Sequence, residues 1–212
     1  MREGVMAKFY GFPALLLCVG ILVIGCATRS PSSRPQDSIA LEAARAYYDL
    51  ARAYEDLGRM DEAITAYRRA SELDPDLKPA AYNLALILID RGRTEEAEIL
   101  LQAMLDEDPE NAMLLETLAW SAYTAGRKDE ALTLYERILI RNPYHTNALF
   151  NTALILLEKG EREKSREYLE LLTARNPEDT EPLLLLARID AEEGRNGEAI
   201  AYLVRYLEKK PD

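Results

Sequence analysis

A period of 34 residues constrains this chain more than any other feature of its sequence. One proline closes each period and one glycine lies within it, and both recur five times without a slip. They are Pro75, Pro109, Pro143, Pro177 and Pro211, and Gly58, Gly92, Gly126, Gly160 and Gly194. A unit of this length cannot bury its own apolar face, so neighbouring units must stack to form a common core. The period therefore predicts an elongated array, an architecture that offers extended surfaces to partners.

Each period has the pattern of two helices separated by tight turns. In the first period, apolar residues at spacings of three and four mark one face of a helix: Tyr47, Leu50, Ala51, Tyr54 and Leu57. Gly58 ends this helix, because glycine adopts the left-handed conformation at little cost. Asp61 and Glu62 then meet the positive end of a second helix dipole. Pro75 stops that helix, since proline lacks the N–H that the next helical hydrogen bond needs.

Small and bulky residues alternate in register along the five periods. Small residues occur where helices must approach closely: Ala51, Ala85, Ala119, Ala153 and Ala187, then Ala63, Ala97, Ala131, Ser165 and Ala199. Bulky residues are predicted to fill the space between paired helices: Tyr67, Leu101, Tyr135, Leu169 and Leu203. Interlocking helices need this alternation to avoid voids.

On these residues the chain resembles the tetratricopeptide repeat family over about four-fifths of its length. The resemblance implies an all-α fold, a right-handed α-solenoid of five tandem helix–turn–helix repeats. The repeats span about 44–77, 78–111, 112–145, 146–179 and 180–212. It also implies that the first helices of the repeats line a concave groove. Three residues depart from the family pattern: Ser165 replaces alanine, Thr152 replaces leucine, and Asp190 replaces an aromatic residue or leucine.

Residues 1–25 have the layout of a secretion signal, with Arg2 and Lys8 ahead of an apolar run. The run ends directly before Cys26, and this junction resembles the lipobox of bacterial lipoproteins. The resemblance implies that residues 1–25 are a lipoprotein signal peptide that is removed, and that Cys26 then carries acyl chains such as palmitate. Residues 26–37, rich in Ser, Pro and Arg, are predicted to be a flexible tether. The repeat domain would occupy residues 38–212.

Two alternatives remain open for this N-terminal segment. It is also compatible with an ordinary cleaved signal in which Cys26 plays no part. Residues 9–27 are also long enough to span a bilayer as an uncleaved helix, which would place the protein in the inner membrane. All three interpretations export the repeats to the bacterial cell envelope. Ala27 is not an inner-membrane retention acid, so by resemblance the outer membrane, facing the periplasm, is favoured.

Composition argues against several functions. The net charge of −11 disfavours nucleic acid as a partner. His145 is the only histidine and is predicted to be a surface turn residue, so we predict no metal site. The chain carries no phosphate loop or nucleophile motif, and acid pairs such as Glu95-Glu96 fit helix starts. The sequence therefore predicts a protein that is not an enzyme and needs no cofactor.

The family resemblance assigns ten residues of the middle repeats to the groove: Tyr82, Asn83, Leu86, Ile89, Trp120, Tyr123, Phe150, Asn151, Leu154 and Leu157. The end repeats place polar residues at the same positions, and an apolar centre with a polar rim is typical of a protein-binding surface. Trp120, the only tryptophan, would lie near the centre, where binding anchors cluster. The alternative is that these residues pack between adjacent first helices.

The predicted function is a membrane-anchored scaffold that binds another envelope protein through this groove. By resemblance, such a scaffold would act in the assembly of a pilus, a secretin, an outer-membrane protein or a wall-hydrolase complex. The alternative is a structural lipoprotein that associates with itself and has no peptide ligand. Four apolar residues near the C-terminus form a candidate docking patch for a homodimer or a partner: Ile200, Leu203, Val204 and Leu207. Leu186 and Ile189 are predicted to widen this C-terminal patch.

Overall fold

The computed structural model describes residues 35–210, and every regular element in that part of the chain is an α-helix. The ten helices of these residues are α1 (Pro35–Asp56), α2 (Met60–Leu73), α3 (Lys78–Asp90), α4 (Thr94–Glu107), α5 (Ala112–Thr124), α6 (Lys128–Arg141), α7 (Thr146–Glu158), α8 (Arg162–Arg175), α9 (Glu181–Glu192) and α10 (Asn196–Lys209). Each helix makes its main contacts with the helices directly before and after it. This nearest-neighbour pattern confirms the predicted solenoid of five helix–turn–helix repeats.

The predicted signal segment and Cys26 lie outside the described residues. Within residues 35–210, no helix combines the length and the apolar content needed to cross a bilayer.

The five in-register glycines all adopt the left-handed conformation predicted for them, with φ between 69° and 80°. At the end of α5, the Gly126 N–H donates to the Tyr123 carbonyl at 2.9 Å, and the Arg127 N–H donates to the Ala122 carbonyl at 2.8 Å. This pair of bonds is the Schellman motif, which satisfies the last carbonyls of a helix. The same bonds recur at the other four glycines, so the two helices of every repeat are joined alike.

The packing positions follow the predicted register, with an exception at the last helix. All ten small residues at the helix approaches are buried. Of the five bulky residues, Tyr67, Leu101, Tyr135 and Leu169 are fully buried. Leu203 on α10 was predicted to fill space between paired helices, and this is wrong, because its side chain is exposed. The described residues contain no helix after α10 that would cover it.

The first helix, α1, also exposes apolar residues, at the other end of the array. Ala51 is buried and Tyr54 is partly buried, as the apolar face predicts. Tyr47, Leu50 and Leu57, however, are exposed. The apolar face of α1 is therefore only partly covered within residues 35–210.

Two of the residues that depart from the repeat pattern are accommodated by polar contacts. The Ser165 hydroxyl donates to the Ala153 carbonyl at 2.7 Å. Asp190 on α9 is fully buried and accepts hydrogen bonds from Arg166 on α8 and from Arg195 Nε, the latter at 2.8 Å. Burial would raise the pKa of Asp190, but the hydrogen bonds and charges of the two arginines outweigh burial and hold the pKa below its usual value. The junction between the fourth and fifth repeats thus contains a buried ion pair.

Candidate functional site

The first helices of the middle repeats differ sharply in charge from those at the ends. The helix α5 carries one charged residue, Glu116, and α7 carries only Glu158. The helix α9, by contrast, carries four charged residues along a similar length. We call the surface formed by the first helices, α1, α3, α5, α7 and α9, the groove. Its middle third is therefore markedly more apolar than its ends.

Leu86, Trp120 and Leu154 occupy one register position in three successive repeats, and we call them the central stripe. Leu86 is 42% exposed and Trp120 is 46% exposed, while Leu154 is half-buried. The same position holds Arg52 in the first repeat and Arg188 in the fifth, and both arginines are exposed. An apolar stripe bounded by an arginine at each end thus runs across the groove.

Two cavities flank the Leu86–Trp120 pair. The first has a volume of about 480 Å³ and lies toward the C-terminal ends of α3 and α5, beside Asp90 and Thr124. The second has a volume of about 520 Å³ and lies toward their N-terminal ends, beside Glu116. Both volumes fall within the range of ligand sites in proteins. The exposed leucine and indole therefore form a ridge between two depressions.

His145 lies in the turn between α6 and α7, as predicted, and it also lines the second cavity. It caps α7, because its Nδ1 accepts the Ala148 N–H at 3.4 Å. Its Nε2 lies 3.8 Å from the Glu116 carboxylate, which also accepts the Asn147 side-chain amide at 2.7 Å. One wall of the cavity is therefore polar and carries a carboxylate.

Tyr82 and Tyr123 join adjacent first helices through their hydroxyl groups. Tyr82 Oη lies 3.0 Å from Thr117 Oγ1. Tyr123 donates to Glu158 at 2.7 Å, and Lys128 Nζ lies 3.0 Å from the same carboxylate. The bond to Glu158, together with burial, raises the pKa of Tyr123 to about 12. The hydrogen bonds from Tyr123 and Lys128 lower the pKa of Glu158. Both tyrosines therefore fix the spacing of the groove helices.

Other predicted groove residues serve packing rather than display. Ile89 is only 8% exposed and belongs to the core, although it also lines the first cavity. The Asn83 amide donates to the Tyr67 hydroxyl at 3.1 Å. Phe150 and Leu157 are partly buried against the core of the last repeats, and Asn151 is half-buried. Leu86 and Trp120 are thus the most accessible of the ten predicted groove residues.

Met113 was missed by the sequence reasoning. It is exposed and lines the second cavity beside Trp120. Its register position holds Pro79 in the second repeat and Asn147 in the fourth. The register position therefore predicted that Met113 faces the groove, but the residues at this position in the neighbouring repeats did not indicate an apolar contact there.

The four residues of the C-terminal patch are all exposed on α10. Leu186 and Ile189, which were predicted to widen it, are fully buried between α9 and its neighbours, so that part of the prediction is wrong. The patch is confined to one helix. In residues 35–210, no three Asp, Glu, His or Cys side chains are grouped as a metal site would require.

Two family models match the chain. The model of the cytochrome c-type biogenesis protein H TPR domain matches residues 41–147. The tetratricopeptide repeat model matches residues 116–180 and 153–212. No curated protein sequence matches the chain significantly.

Solved structures share the architecture at low sequence identity. The MamA protein is 22% identical, with a TM-score of 0.68, and the match covers 80% of this chain and 92% of MamA. Pseudomonas aeruginosa PilF is 22% identical, with a TM-score of 0.67 and coverage of 82% and 79%. YrrB, described as a TPR protein with an unusual peptide-binding site, is 19% identical, with a TM-score of 0.62 and coverage of 85% and 95%. At these identities the likeness shows the fold alone.

Proposed function

The chain belongs to the tetratricopeptide repeat family, and we propose that it binds another protein of the cell envelope through the central stripe of its groove. Members of this family are scaffolds for protein–protein interaction and are generally not enzymes. The scaffold role follows from the family. The choice of the groove rests on its geometry. The envelope location rests on the sequence of residues 1–26, which lie outside the described residues.

The observation that carries the binding site is the occurrence of three large apolar side chains at one register position, of which two are exposed and one is half-buried. Burying a Leu or Trp side chain against a partner removes apolar surface from water, which favours association. The stripe side chains lie on three successive first helices, which Tyr82 and Tyr123 join through their hydroxyl groups. An extended segment that crosses these helices could contact all three side chains in turn. We therefore propose a short apolar segment of the partner as the ligand.

The polar groups around the stripe add to this description of the ligand. Glu116, on the wall of the second cavity, presents a carboxylate that can accept a hydrogen bond from a backbone N–H or a basic side chain. Arg52 and Arg188 lie beyond the two ends of the stripe and favour acidic residues there. The proposed segment is apolar in the centre and acidic toward its flanks.

Trp120 provides a direct test, because it is the only tryptophan and its emission reports on the stripe. Peptides of about ten residues with an apolar centre and acidic flanks should change this emission in a saturable way. Leu86→Ala combined with Leu154→Ala keeps the reporter and should weaken binding by about 2 kcal/mol, or roughly thirtyfold. Helical content should stay unchanged, since Leu86 is exposed and Leu154 half-buried.

A matched control removes the same amount of side chain elsewhere. Ile99→Ala combined with Ile140→Ala truncates two exposed isoleucines on the second helices α4 and α6. This variant should bind the peptides as tightly as the wild type. Equal weakening by both double variants would show that the stripe has no special part in binding. A loss of melting temperature without a loss of affinity would assign Leu86 and Leu154 to the core.

We also propose that Cys26 carries the lipid anchor. Several acyl chains, at about 0.8 kcal/mol per buried methylene, would hold the protein firmly on the membrane. In bacterial cells supplied with a labelled fatty acid, Cys26→Ala should abolish labelling and signal removal. Cys18→Ala, the matched control within the apolar run, should leave both intact. Labelling that persists in Cys26→Ala would refute the anchor, and a wild-type chain of uncleaved length would support the transmembrane alternative.

The proposed setting is the assembly of an envelope complex of the pilus, secretin, outer-membrane protein or wall-hydrolase type. Capture of partners from an envelope extract, with the wild type compared with Trp120→Ala combined with Leu154→Ala, distinguishes these settings by the protein that is lost. An unchanged set of captured proteins would argue against the groove as the working surface.

A further inference from the structure

One residue of the C-terminal patch, Leu203, occupies a register position that is buried wherever another repeat follows. In the first four repeats, the position of Leu203 is held by Tyr67, Leu101, Tyr135 and Leu169, which are at most 1% exposed. Leu203 itself is 42% exposed. Leu207 is exposed as well, whereas its four counterparts are buried or half-buried. Leu203 and Leu207 thus lie on the surface that closes the junctions inside the array, whereas the position of Val204 is exposed in every repeat.

The opposite end of the array carries the other half of such a junction. Leu50 on α1 is 42% exposed, and its counterparts Leu84, Leu118 and Leu186 are buried. Tyr47 is exposed too, and its position is held by fully buried leucines in the last three repeats: Leu115, Leu149 and Leu183. We call Tyr47, Leu50 and Tyr54 the N-terminal face. Its counterparts lie on the first helices of later repeats, each of which packs against the second helix of the repeat before it.

The N-terminal face and the C-terminal patch also lack the charged pair that is buried at one internal junction. At the junction between the fourth and fifth repeats, Arg166 and Asp190 form a buried ion pair. The corresponding positions at the open ends are Ile200 and Tyr54, so both members of the pair have become apolar or aromatic. Bringing the two ends together would therefore bury no unpaired charge at this point, where a single charged residue would be costly.

From these observations we propose that the N-terminal face of one copy packs on the C-terminal patch of a second copy, so that copies stack head to tail. The new contact repeats the junction that already joins α2 to α3, α4 to α5, α6 to α7 and α8 to α9. Such a contact uses two different surfaces, so each added copy leaves one of each open and the assembly grows as a chain. The proposal is independent of peptide binding in the groove.

A head-to-tail contact between two copies uses only the few apolar side chains of the two faces. We therefore expect it to be weak, so that the fraction of stacked copies depends on protein concentration. Attachment to a membrane would raise the local concentration of the chain and favour stacking. Stacking would also place the grooves of successive copies next to each other, so that a partner with several ligand segments could bind more than one copy.

The internal junctions supply a pair of positions for a cross-linking test. Lys128 lies 3.0 Å from Glu158, and Arg162 lies 3.1 Å from Glu192, at equivalent register positions of two junctions. At the open ends these positions are held by Asn196 and Asp56, both of which are exposed. Full-length Asp56→Cys and Asn196→Cys chains, purified in detergent, would be mixed and treated with a short bismaleimide. The wild type, which has only Cys18 and Cys26, gives the background.

Head-to-tail stacking predicts that the mixture yields at least tenfold more covalent dimer than either variant alone. A chain with both substitutions should yield a ladder of dimers, trimers and longer products. Adding Leu203→Glu to the Asn196→Cys chain should return the mixture to background, with helicity preserved because Leu203 is exposed. Pairing Asn196→Cys with Ile140→Cys, another exposed site, should give only background.

Three results would overturn the proposal. A dimer from Asn196→Cys alone would show that two C-terminal patches meet in a symmetric contact. Background-level product from the mixture, up to the highest soluble concentration, would show that the faces do not meet or are covered by another part of the same chain. Dimer formation that survives Leu203→Glu would place the contact elsewhere.

Discussion

The middle and the ends of this solenoid expose leucines to the same extent for different reasons. Leu86, in the groove, and Leu203, on the last helix, are both 42% exposed. The register position of Leu86 is exposed or half-buried in every repeat and holds arginine in the first and fifth. The position of Leu203 is fully buried in the other four repeats. Exposure of Leu86 is therefore a property of the groove, whereas Leu203 is exposed because no further repeat covers it within the described residues.

The largest loss of stability is expected at the junction between the fourth and fifth repeats, which contains the buried ion pair of Arg166 and Asp190. Asp190→Ala removes the fully buried partner of Arg166. Because Glu193 remains 3.5 Å from the same guanidinium, we expect a loss at the lower end of the range for a broken buried pair, about 3 kcal/mol of unfolding free energy. Asp129→Ala, which removes an exposed carboxylate that pairs with Lys159, should cost less than about 1 kcal/mol. Urea unfolding of both variants measures the difference. Similar losses would mean that the last junction is held mainly by its apolar contacts.

A second comparison separates the inner junctions from the open end. Leu101→Ala empties a fully buried position and should cost about 2–5 kcal/mol. Leu203→Ala changes the same register position where no neighbour covers it, and should cost less than about 1 kcal/mol. Thermal unfolding at a low concentration, where copies do not associate, provides the measurement. A large loss for Leu203→Ala under these conditions would show that its side chain is covered within a single chain.

Glycine substitutions should differ in sign between the two regions. Gly126→Ala places a side chain at a φ of 80° and should destabilise the protein by roughly 1 kcal/mol. Gly197 lies within α10 and has open space around an added methyl group. Gly197→Ala should therefore stabilise the protein by about 0.5 kcal/mol. A loss of stability in Gly197→Ala would indicate a contact of this end that the single chain does not show.

The smallest expected effect is a pH dependence of the free energy of unfolding, which arises from Asp190 at the junction between the fourth and fifth repeats. The pKa of Asp190 is lower in the folded protein than its usual value of about 3.9. Its charged form therefore stabilises the fold fully above that value, and the contribution is lost as the pH falls through the folded pKa. The stability advantage of the wild type over Asp190→Asn should narrow below about pH 4. An advantage that stays constant down to the pH of acid unfolding would contradict this assignment.

The register of the sequence predicted the helix pairs, the glycine turns and the buried positions of the inner repeats, because these depend on contacts that recur in every repeat. It failed at Leu203 and on the face of α1, because a repeating pattern does not say which position lacks a neighbour. It predicted the turn position of His145 but not its proximity to Glu116, which depends on how α5 and α7 lie relative to each other. Among the groove residues, the register could not separate Ile89 from Leu86, since the depth of each side chain depends on how closely adjacent helices approach.

The nearest-neighbour contacts have a consequence for the dynamics of the chain. Within the described residues, α1 and α10 are held from one side only, so local opening should begin at the ends and spread inward repeat by repeat. Amide hydrogens of α5 and α6 should therefore exchange with solvent most slowly. The central stripe lies in the three repeats farthest from the ends, and a partner bound there would rest on the part of the solenoid that opens last. A copy stacked on an end would slow exchange in α10 or α1 without changing it in the middle.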